Sequence, residues 1–145
     1  MPERETIERA HEDAREGKSP STQAGEFVRE EMHHVREGKH GARSPQQAIA
    51  IGLSKARRAG VKLGAPKGPA SVRNKAEKDI EAGEHPGHKT SRTRSRAVSG
   101  ALKRESRGSA SRQAISRQTK KTAAKRGKRA RSAAALKAAR TRKAA

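Results

Sequence analysis

The C-terminal part of the chain is almost free of negative charge. From Lys89 to the end of the sequence there are 20 Lys and Arg residues and one acidic residue, Glu105. The whole chain has a formal net charge of +21, and only 30% of its residues are hydrophobic, against about 45–50% in an ordinary globular protein. A chain of this kind cannot bury enough apolar surface to offset the entropy lost on ordering. A large packed core is therefore excluded.

The positive charge is concentrated in one half of the chain. Residues 1–63 carry 12 Lys and Arg against 10 Asp and Glu, a net charge of +2, whereas residues 64–145 carry 24 against 5, a net charge of +19. Gly and Pro residues cluster over 60–70, which is typical of a linker. The sequence predicts a small helical region over the first range, a Gly/Pro linker with a short helix over 64–88, and a basic tail over 89–145.

The N-terminal region is predicted to be all-α, with short and loosely packed helices. Apolar residues recur at helical spacing over about 3–16, 23–37 and 45–59. The third helix has the clearest start, because Ser44 can cap it, Pro45 suits the first helical position, and a Gln follows Ser44 by three residues.

The second of these helices carries the main apolar stripe. Phe27, Val28, Met32 and Val35 lie on one face of it, and Phe27 is the only aromatic residue of the chain. Packing within the chain is the default role of such a stripe. A surface for self-association or for a protein partner is the functional alternative, and the sequence leaves both open.

The tetrapeptide Arg-Glu-Gly-Lys occurs twice, at Arg15–Lys18 and at Arg36–Lys39. Each copy stands at the expected end of a helix, where Gly favours termination, and each leads into a Ser-Pro step. The two helix-ending units are therefore predicted to be built alike. The tail lacks a wide apolar face and is expected to be largely disordered or helical in pieces.

The basic tail is the strongest candidate binding site. A solvated surface normally mixes charges of both signs, which this tail does not. Duplex DNA presents one negative charge per ~1.7 Å of its axis, and an affinity that engages about 8 phosphates should fall with salt at a logarithmic slope of about −7. The predicted phosphate-contacting residues are Arg92, Arg94, Arg96, Lys103, Arg104, Arg107, Arg112, Arg117, Lys120, Lys121, Lys125, Arg126, Lys128, Arg129, Arg131, Lys137, Arg140, Arg142 and Lys143.

Four further cations near the end of the third helix are predicted to make secondary phosphate contacts: Lys55, Arg57, Arg58 and Lys62. The alternative is that they complement the negative end of the helix dipole. A helix-turn-helix is not indicated, because the connection before this helix is longer than the short turn of that motif.

No catalytic, metal or cofactor site is predicted. The chain has no Cys, which excludes disulfides and thiolate metal sites. His33, His34 and His40 are expected to lie at the surface, because the ligand spacing of a zinc site is lacking. No Ser-His-Asp arrangement and no phosphate-binding glycine loop is discernible. We therefore expect a non-enzymatic protein without a cofactor.

The tail contains no aromatic residue, so it lacks the stacking platforms with which proteins hold single strands. This favours the backbone of double-stranded DNA and a sequence-independent, architectural role. Two alternatives stay open: an RNA- or ribosome-associated basic protein, and a regulatory adaptor whose tail binds a polyanion only to localise it.

The stretch from Ser19 to Glu31 (SPSTQAGEFVREE), continuing from Arg36 to Gly60 (REGKHGARSPQQAIAIGLSKARRAG), resembles a family of short basic bacterial proteins of unknown function. The resemblance covers roughly residues 1–63, and some members of that family are labelled DNA-binding. The Ala/Lys/Arg-rich end is similar to the tails of histone H1-like nucleoid proteins. These resemblances imply a bacterial protein of the nucleoid. No apolar run long enough to span a bilayer and no signal peptide is found, so a cytoplasmic location is expected.

Overall fold

The computed structural model describes residues 2–85, 87 and 91–144. Within these residues only helices and connecting segments occur, so the predicted all-α class is confirmed. The α-helices are α1 (Arg4–Arg15), α2 (Pro20–Glu37), α3 (Pro45–Arg58), α4 (Ala70–Glu84), α5 (Arg92–Arg104) and α6 (Arg112–Ala144), and a 3₁₀ helix spans Arg107–Ala110.

The chain divides into two compact units, Met1–Ala110 and Ser111–Ala145. The first unit contains α1 to α5 and the 3₁₀ helix, and the second contains α6. The sequence placed the helical region at 1–63, whereas the first unit of the structure extends to Ala110, because α4 packs on α3 and the 3₁₀ helix packs on α2 and α3. The predicted junction of linker and tail at 88/89 lies outside the described residues.

Both Ser-Pro steps of the sequence begin helices. Ser19 caps α2, with Pro20 in the first position and the Ser19 hydroxyl accepting from the backbone N–H of Thr22 at 3.4 Å. The helix therefore begins three residues earlier than the apolar pattern predicted. Ser44 caps α3 in the same way, accepting from the N–H of Gln47 at 3.2 Å, as predicted.

Both Arg-Glu-Gly-Lys copies end helices with the same hydrogen-bond pattern. Gly17 and Gly38 adopt left-handed backbone angles, with φ of 73° and 78°. The following N–H groups, of Lys18 and Lys39, each donate to the carbonyl five residues earlier, at 2.9 and 3.0 Å. This is a Schellman ending, which satisfies the last carbonyls of a helix and favours Gly at the left-handed position. The prediction that the two units are built alike is confirmed.

The core of the first unit is small and consists largely of alanines around one aromatic ring. Phe27 is fully buried, in a cluster with Ala10, Ala24, Ala56 and Val61. Small side chains let the helix backbones approach closely, which is how a chain with few large apolar residues can still exclude water between α1, α2 and α3.

The apolar stripe of α2 belongs to this interior. Phe27 and Val35 are fully buried and Met32 is only 8% exposed. Val28 lies at the crossing with α3, where Gly52 packs against its backbone. Packing within the unit, the default role of the stripe, is therefore what the structure shows for Phe27, Met32 and Val35.

A buried carboxylate joins α4 to α3. Asp79 of α4, with a side chain only 2% exposed, accepts hydrogen bonds from Ser54 at 2.6 Å, Arg58 at 2.8 Å and Lys75 at 2.5 Å. Burial alone would raise the pKa of Asp79, but these three donors outweigh it and hold the pKa below its usual value. A largely apolar cavity of about 640 Å³ lies between the two helices, so their side chains do not fill the space between them. The hydrogen bonds of Asp79 therefore add to an incomplete apolar contact between α3 and α4.

The end of α5 is tied to the segment between α2 and α3. The N–H of Gly41 donates to the carbonyl of Leu102 at 2.8 Å, and the N–H of Ala42 donates to the carbonyl of Ser106 at 3.1 Å. The end of α5 is therefore anchored by backbone hydrogen bonds to the segment between α2 and α3.

The described part of the predicted tail is helical. Ala, Arg, Lys and Gln are strong helix formers, and the sequence from 91 to 144 contains no Pro. Of the two alternatives, disorder or helix, the structure shows helix, in α5 and α6. No helix among the described residues is both long enough and apolar enough to cross a bilayer.

Candidate nucleic-acid interface

The second unit is one helical segment without a single acidic residue. The sequence of α6 contains 13 Lys and Arg residues and no Asp or Glu. All 13 of these side chains are exposed. The backbone departs from helical geometry at Gly127, where φ is 73° and ψ is 164°, so α6 consists of two helical stretches. The structure thus presents cations on regular secondary structure.

The cations of α6 surround its axis instead of forming one stripe. Successive residues of an α-helix are rotated by about 100°, which places Arg112, Arg117, Lys120 and Lys125 on four different sides of the first stretch. A helix that is polar all round has no apolar face to pack against another element. The side chains of this helix are therefore available to a partner from every direction.

Like charges along α6 are also close enough to repel one another. Arg117, Lys121 and Lys125 follow each other at intervals of four residues, the spacing at which helical side chains are neighbours. With no carboxylate on the helix, nothing within α6 offsets this repulsion. A polyanion would offset it, because each phosphate can lie between adjacent cations.

The α5 helix carries a basic surface of its own within the first unit. Arg92, Arg96 and Lys103 lie on one face of it, and none of the residues of α5 is buried. Arg94 and Arg104 are exposed on its other sides. The remaining predicted cation of this region, Arg107, begins the 3₁₀ helix and is exposed as well.

The single acidic residue of the tail does not neutralise these cations. Glu105 directs its carboxylate toward Arg43, on the segment before α3, with 3.6 Å between Arg43 Nε and Glu105 Oε1. All 19 cations predicted in the tail are exposed, and Glu105 is the only acid in that region of the sequence. The surface of α5 and α6 is therefore positive without local compensation.

Two of the four residues predicted to make secondary contacts, one half-buried and one buried, have partners within the chain. Lys55 lies between two carboxylates, 2.9 Å from Glu30 Oε1 and 2.7 Å from Glu31 Oε2, with 20% of its side chain exposed. Burial opposes its charge, but the two carboxylates outweigh this and raise the pKa of Lys55 above its ordinary value. Arg57 is 9% exposed, and its guanidinium reaches the carbonyl of Gly64. Both side chains have partners within the chain, so a phosphate contact by either would have to replace these interactions.

The other two secondary contacts differ from each other. Arg58 is half-exposed, but its Nε donates to the buried carboxylate of Asp79. Lys62 is exposed beyond the end of α3. Of the four, Lys62 alone combines exposure with the absence of a carboxylate partner among the described residues.

A polar cluster that the sequence did not reveal lies at the C-terminal half of α2. Glu31, His34 and His40 each offer a donor atom within 4.8 Å of those of the other two. The side chains of His34 and His40 are only 12% and 17% exposed, so the expectation of surface histidines is wrong for both. His33 is exposed, as expected.

The N-terminus of the described chain completes this cluster. Glu3 Oε1 lies 2.9 Å from His34 Nε2 and 3.0 Å from Lys39 Nζ, and these two hydrogen bonds lower the pKa of Glu3 to about 2. The backbone N–H of Glu3 donates to Glu30 Oε2 at 3.0 Å. The sequence held one signal for the cluster, the Glu-x-x-His spacing of Glu31 and His34, which puts both side chains on one helix face.

Comparisons with protein-family models, with curated proteins and with solved structures give no match to this chain.

Proposed function

We propose that this protein binds nucleic acid without reading its sequence, with double-stranded DNA as the preferred partner, and acts as an architectural protein. The observation that carries this proposal is α6: a helical unit with 13 exposed Lys and Arg side chains and no acidic residue. A binding surface of one sign over so many residues favours a partner of the opposite sign that is equally long and regular, and the phosphate backbone is such a partner.

The distribution of charge around α6 fits the inside of a DNA groove. An α-helix with its side chains is about 10–12 Å in diameter, and the major groove of B-DNA is about 12 Å wide. A helix in that groove faces phosphates on two opposite flanks, so cations on more than one side of the helix are used. A helix lying on a flat anionic surface would use only one of its sides.

The aromatic inventory argues against single-stranded partners. Proteins that hold single strands stack bases on exposed aromatic rings. The only aromatic side chain of this chain, Phe27, is fully buried in the core. Binding through the backbone of a duplex needs no such platform, which is why we favour DNA over single-stranded RNA.

A pair of charge-matched variants tests the proposal. Lys121→Gln with Lys125→Gln removes two charges from α6, and Lys67→Gln with Lys78→Gln removes two exposed charges from the first unit, so each variant has a net charge of 21 − 2 = +19. On a labelled DNA duplex, the α6 variant should flatten the logarithmic salt slope by about 1.8, or 0.9 per lost phosphate contact. The control variant should leave the slope of the unmodified chain almost unchanged.

Equal flattening by both variants would show that α6 is not the binding element and would contradict the proposal. A competition between the DNA duplex and a structured RNA of equal charge identifies the preferred partner. If RNA displaces DNA at lower concentration, the RNA- or ribosome-associated alternative replaces ours.

A further inference from the structure

The cluster of Glu31, His34 and His40 contains the donor set of a transition-metal site. Glu31 and His34 are one turn apart on α2, and His40 follows the end of that helix. Glu31 is 1% exposed and the two imidazoles are largely buried. Two imidazole nitrogens and a carboxylate oxygen suit Zn²⁺ and its neighbours better than Ca²⁺ or Mg²⁺, which prefer oxygen ligands alone.

Each of the two imidazoles forms a hydrogen bond, through one ring nitrogen, with an acceptor that does not belong to the cluster. His40 Nδ1 lies 3.0 Å from the carbonyl oxygen of Gly41, and His34 Nε2 lies 2.9 Å from the carboxylate of Glu3. Because both partners accept hydrogen bonds, they place the proton of a neutral imidazole on that nitrogen and leave a lone pair on the other. Metal-binding histidines are oriented by outer partners of this kind.

The free nitrogen of His40 faces a carboxylate at short distance. His40 Nε2 and Glu31 Oε1 are 3.0 Å apart. With the proton of a neutral ring at Nδ1, both of these atoms carry lone pairs, and two lone pairs at this distance require a cation between them. A proton or a metal ion fills that requirement, and the His34 ring offers a nitrogen within 4.8 Å of the donor atoms of the other two residues.

The charged groups around the cluster have a net negative charge, which favours the binding of a cation. Three carboxylates, of Glu3, Glu30 and Glu31, surround it together with the ammonium groups of Lys39 and Lys55. With neutral histidines these groups sum to 2 − 3 = −1. Lys55 contacts Glu31 Oε2, so it engages one oxygen of that carboxylate and leaves Oε1 to the site.

We propose that Glu31, His34 and His40 bind a divalent transition-metal ion of the Zn²⁺ class, with a fourth position left for water. Metal–ligand bonds of about 2.0–2.2 Å place the donor atoms of a tetrahedral site about 3.4 Å apart, which is close to the 3.0 Å between His40 Nε2 and Glu31 Oε1. A polar cavity of about 220 Å³ is lined by His34 together with Glu3 and Glu30, on the side of the outer partners of the cluster. The ion would fasten the segment after α2, which holds the end of α5, to α2 itself.

The test uses the full chain and Zn²⁺ alone, in chelator-free and phosphate-free buffer near neutral pH. Isothermal titration should show one Zn²⁺ bound per chain, and Co²⁺ should produce the visible absorption of a four-coordinate site. His40→Gln should weaken Zn²⁺ binding at least tenfold, and Glu3→Gln should weaken it by ~10–100-fold as the loss of an outer partner. His33→Gln, at the exposed neighbouring histidine of α2, is the matched control and should leave the affinity unchanged.

Failure to bind Zn²⁺ would overturn the proposal and identify His40–Glu31 as an ion pair closed by a proton. Equal losses in His33→Gln and His40→Gln would overturn it too, because they would mark adventitious binding by surface histidines. The Glu31→Gln variant removes a partner of Lys55 and is at risk of unfolding. His40→Gln preserves the Lys55 contacts with Glu30 and Glu31, so the test remains decisive without it.

Discussion

Gly41 lies directly against the backbone of Glu105, so closely that a Cβ atom at position 41 would overlap the Glu105 carbonyl. This contact brings together the segment between α2 and α3 and the end of α5, which are more than sixty residues apart in the sequence. It fixes the end of α5 to the segment between α2 and α3, with the Gly41–Leu102 hydrogen bond beside it.

Gly41→Ala should therefore destabilise the first unit. The overlap involves backbone atoms, which cannot rotate away, and overpacking of this kind costs about 1–3 kcal/mol in the free energy of unfolding. Gly64→Ala is the matched control, because a Cβ there meets no atom within 4 Å. Urea unfolding followed by circular dichroism measures both, and equal stability of the two variants would contradict the close contact.

The buried Asp79 predicts a pH-dependent loss of stability. Its pKa is lower in the folded chain than in the unfolded chain, so its contribution is fully present above the unfolded pKa of about 3.9 and is lost as the pH falls through the lower, folded value. We expect Asp79→Asn to cost about 1–3 kcal/mol near pH 7. The difference from the unmodified chain should shrink between about pH 5 and pH 2.

Glu77→Gln, at an exposed carboxylate of the same helix, controls for the change in net charge. Urea midpoints at a series of pH values give the comparison. A difference between Asp79→Asn and the unmodified chain that stays constant down to pH 2 would show that the Asp79 carboxylate is not the titrating group.

Lys55 is expected to contribute to the stability of the fold and not to nucleic-acid binding. Lys55→Gln leaves the carboxylates of Glu30 and Glu31 without their common partner, and the loss of one partner of a buried ion pair costs about 3–5 kcal/mol. The salt slope of DNA binding should not change, because Lys55 does not contact phosphate in our account. This variant is measured by thermal unfolding and by anisotropy on a DNA duplex, under conditions in which it remains folded.

Lys62→Gln is the counterpart of that variant near the same end of α3. Its side chain is exposed, so its stability should stay within about 0.5 kcal/mol of the unmodified chain. A stable Lys55→Gln protein with a flattened salt slope would show that Lys55 contacts phosphate, as the sequence predicted, and does not stabilise the fold.

Local signals in the sequence were sufficient for much of the fold. Ser44 and Pro45 at the start of α3 and the glycines of the Arg-Glu-Gly-Lys copies act within one helical turn, so their effects could be predicted and are found. The apolar pattern predicted the start of α2 three residues too late, because the first turn of this helix is polar. The cap at Ser19, and not an apolar residue, determines where that helix begins.

Contacts between residues that are far apart in the sequence could not be predicted from its patterns. The sequence does not reveal that Asp79 faces Arg58 or that Gly41 contacts Glu105, because such pairs depend on how separate helices pack. The position of Lys55 could not be predicted for the same reason. The sequence pattern indicated a surface cation, but Lys55 lies between two carboxylates of α2. The exposed cations of α6 were easier to predict, since an excess of one charge without apolar neighbours has no interior to enter.

Binding of DNA through phosphate neutralisation is measured by a salt series on the full chain. Fluorescence anisotropy with a labelled DNA duplex gives the affinity at each ionic strength. If α6 binds by neutralising phosphates, the logarithm of the affinity falls linearly with the logarithm of the salt concentration, with a slope of about −7 or steeper. No binding in dilute buffer, or an affinity that does not change with salt, would contradict it.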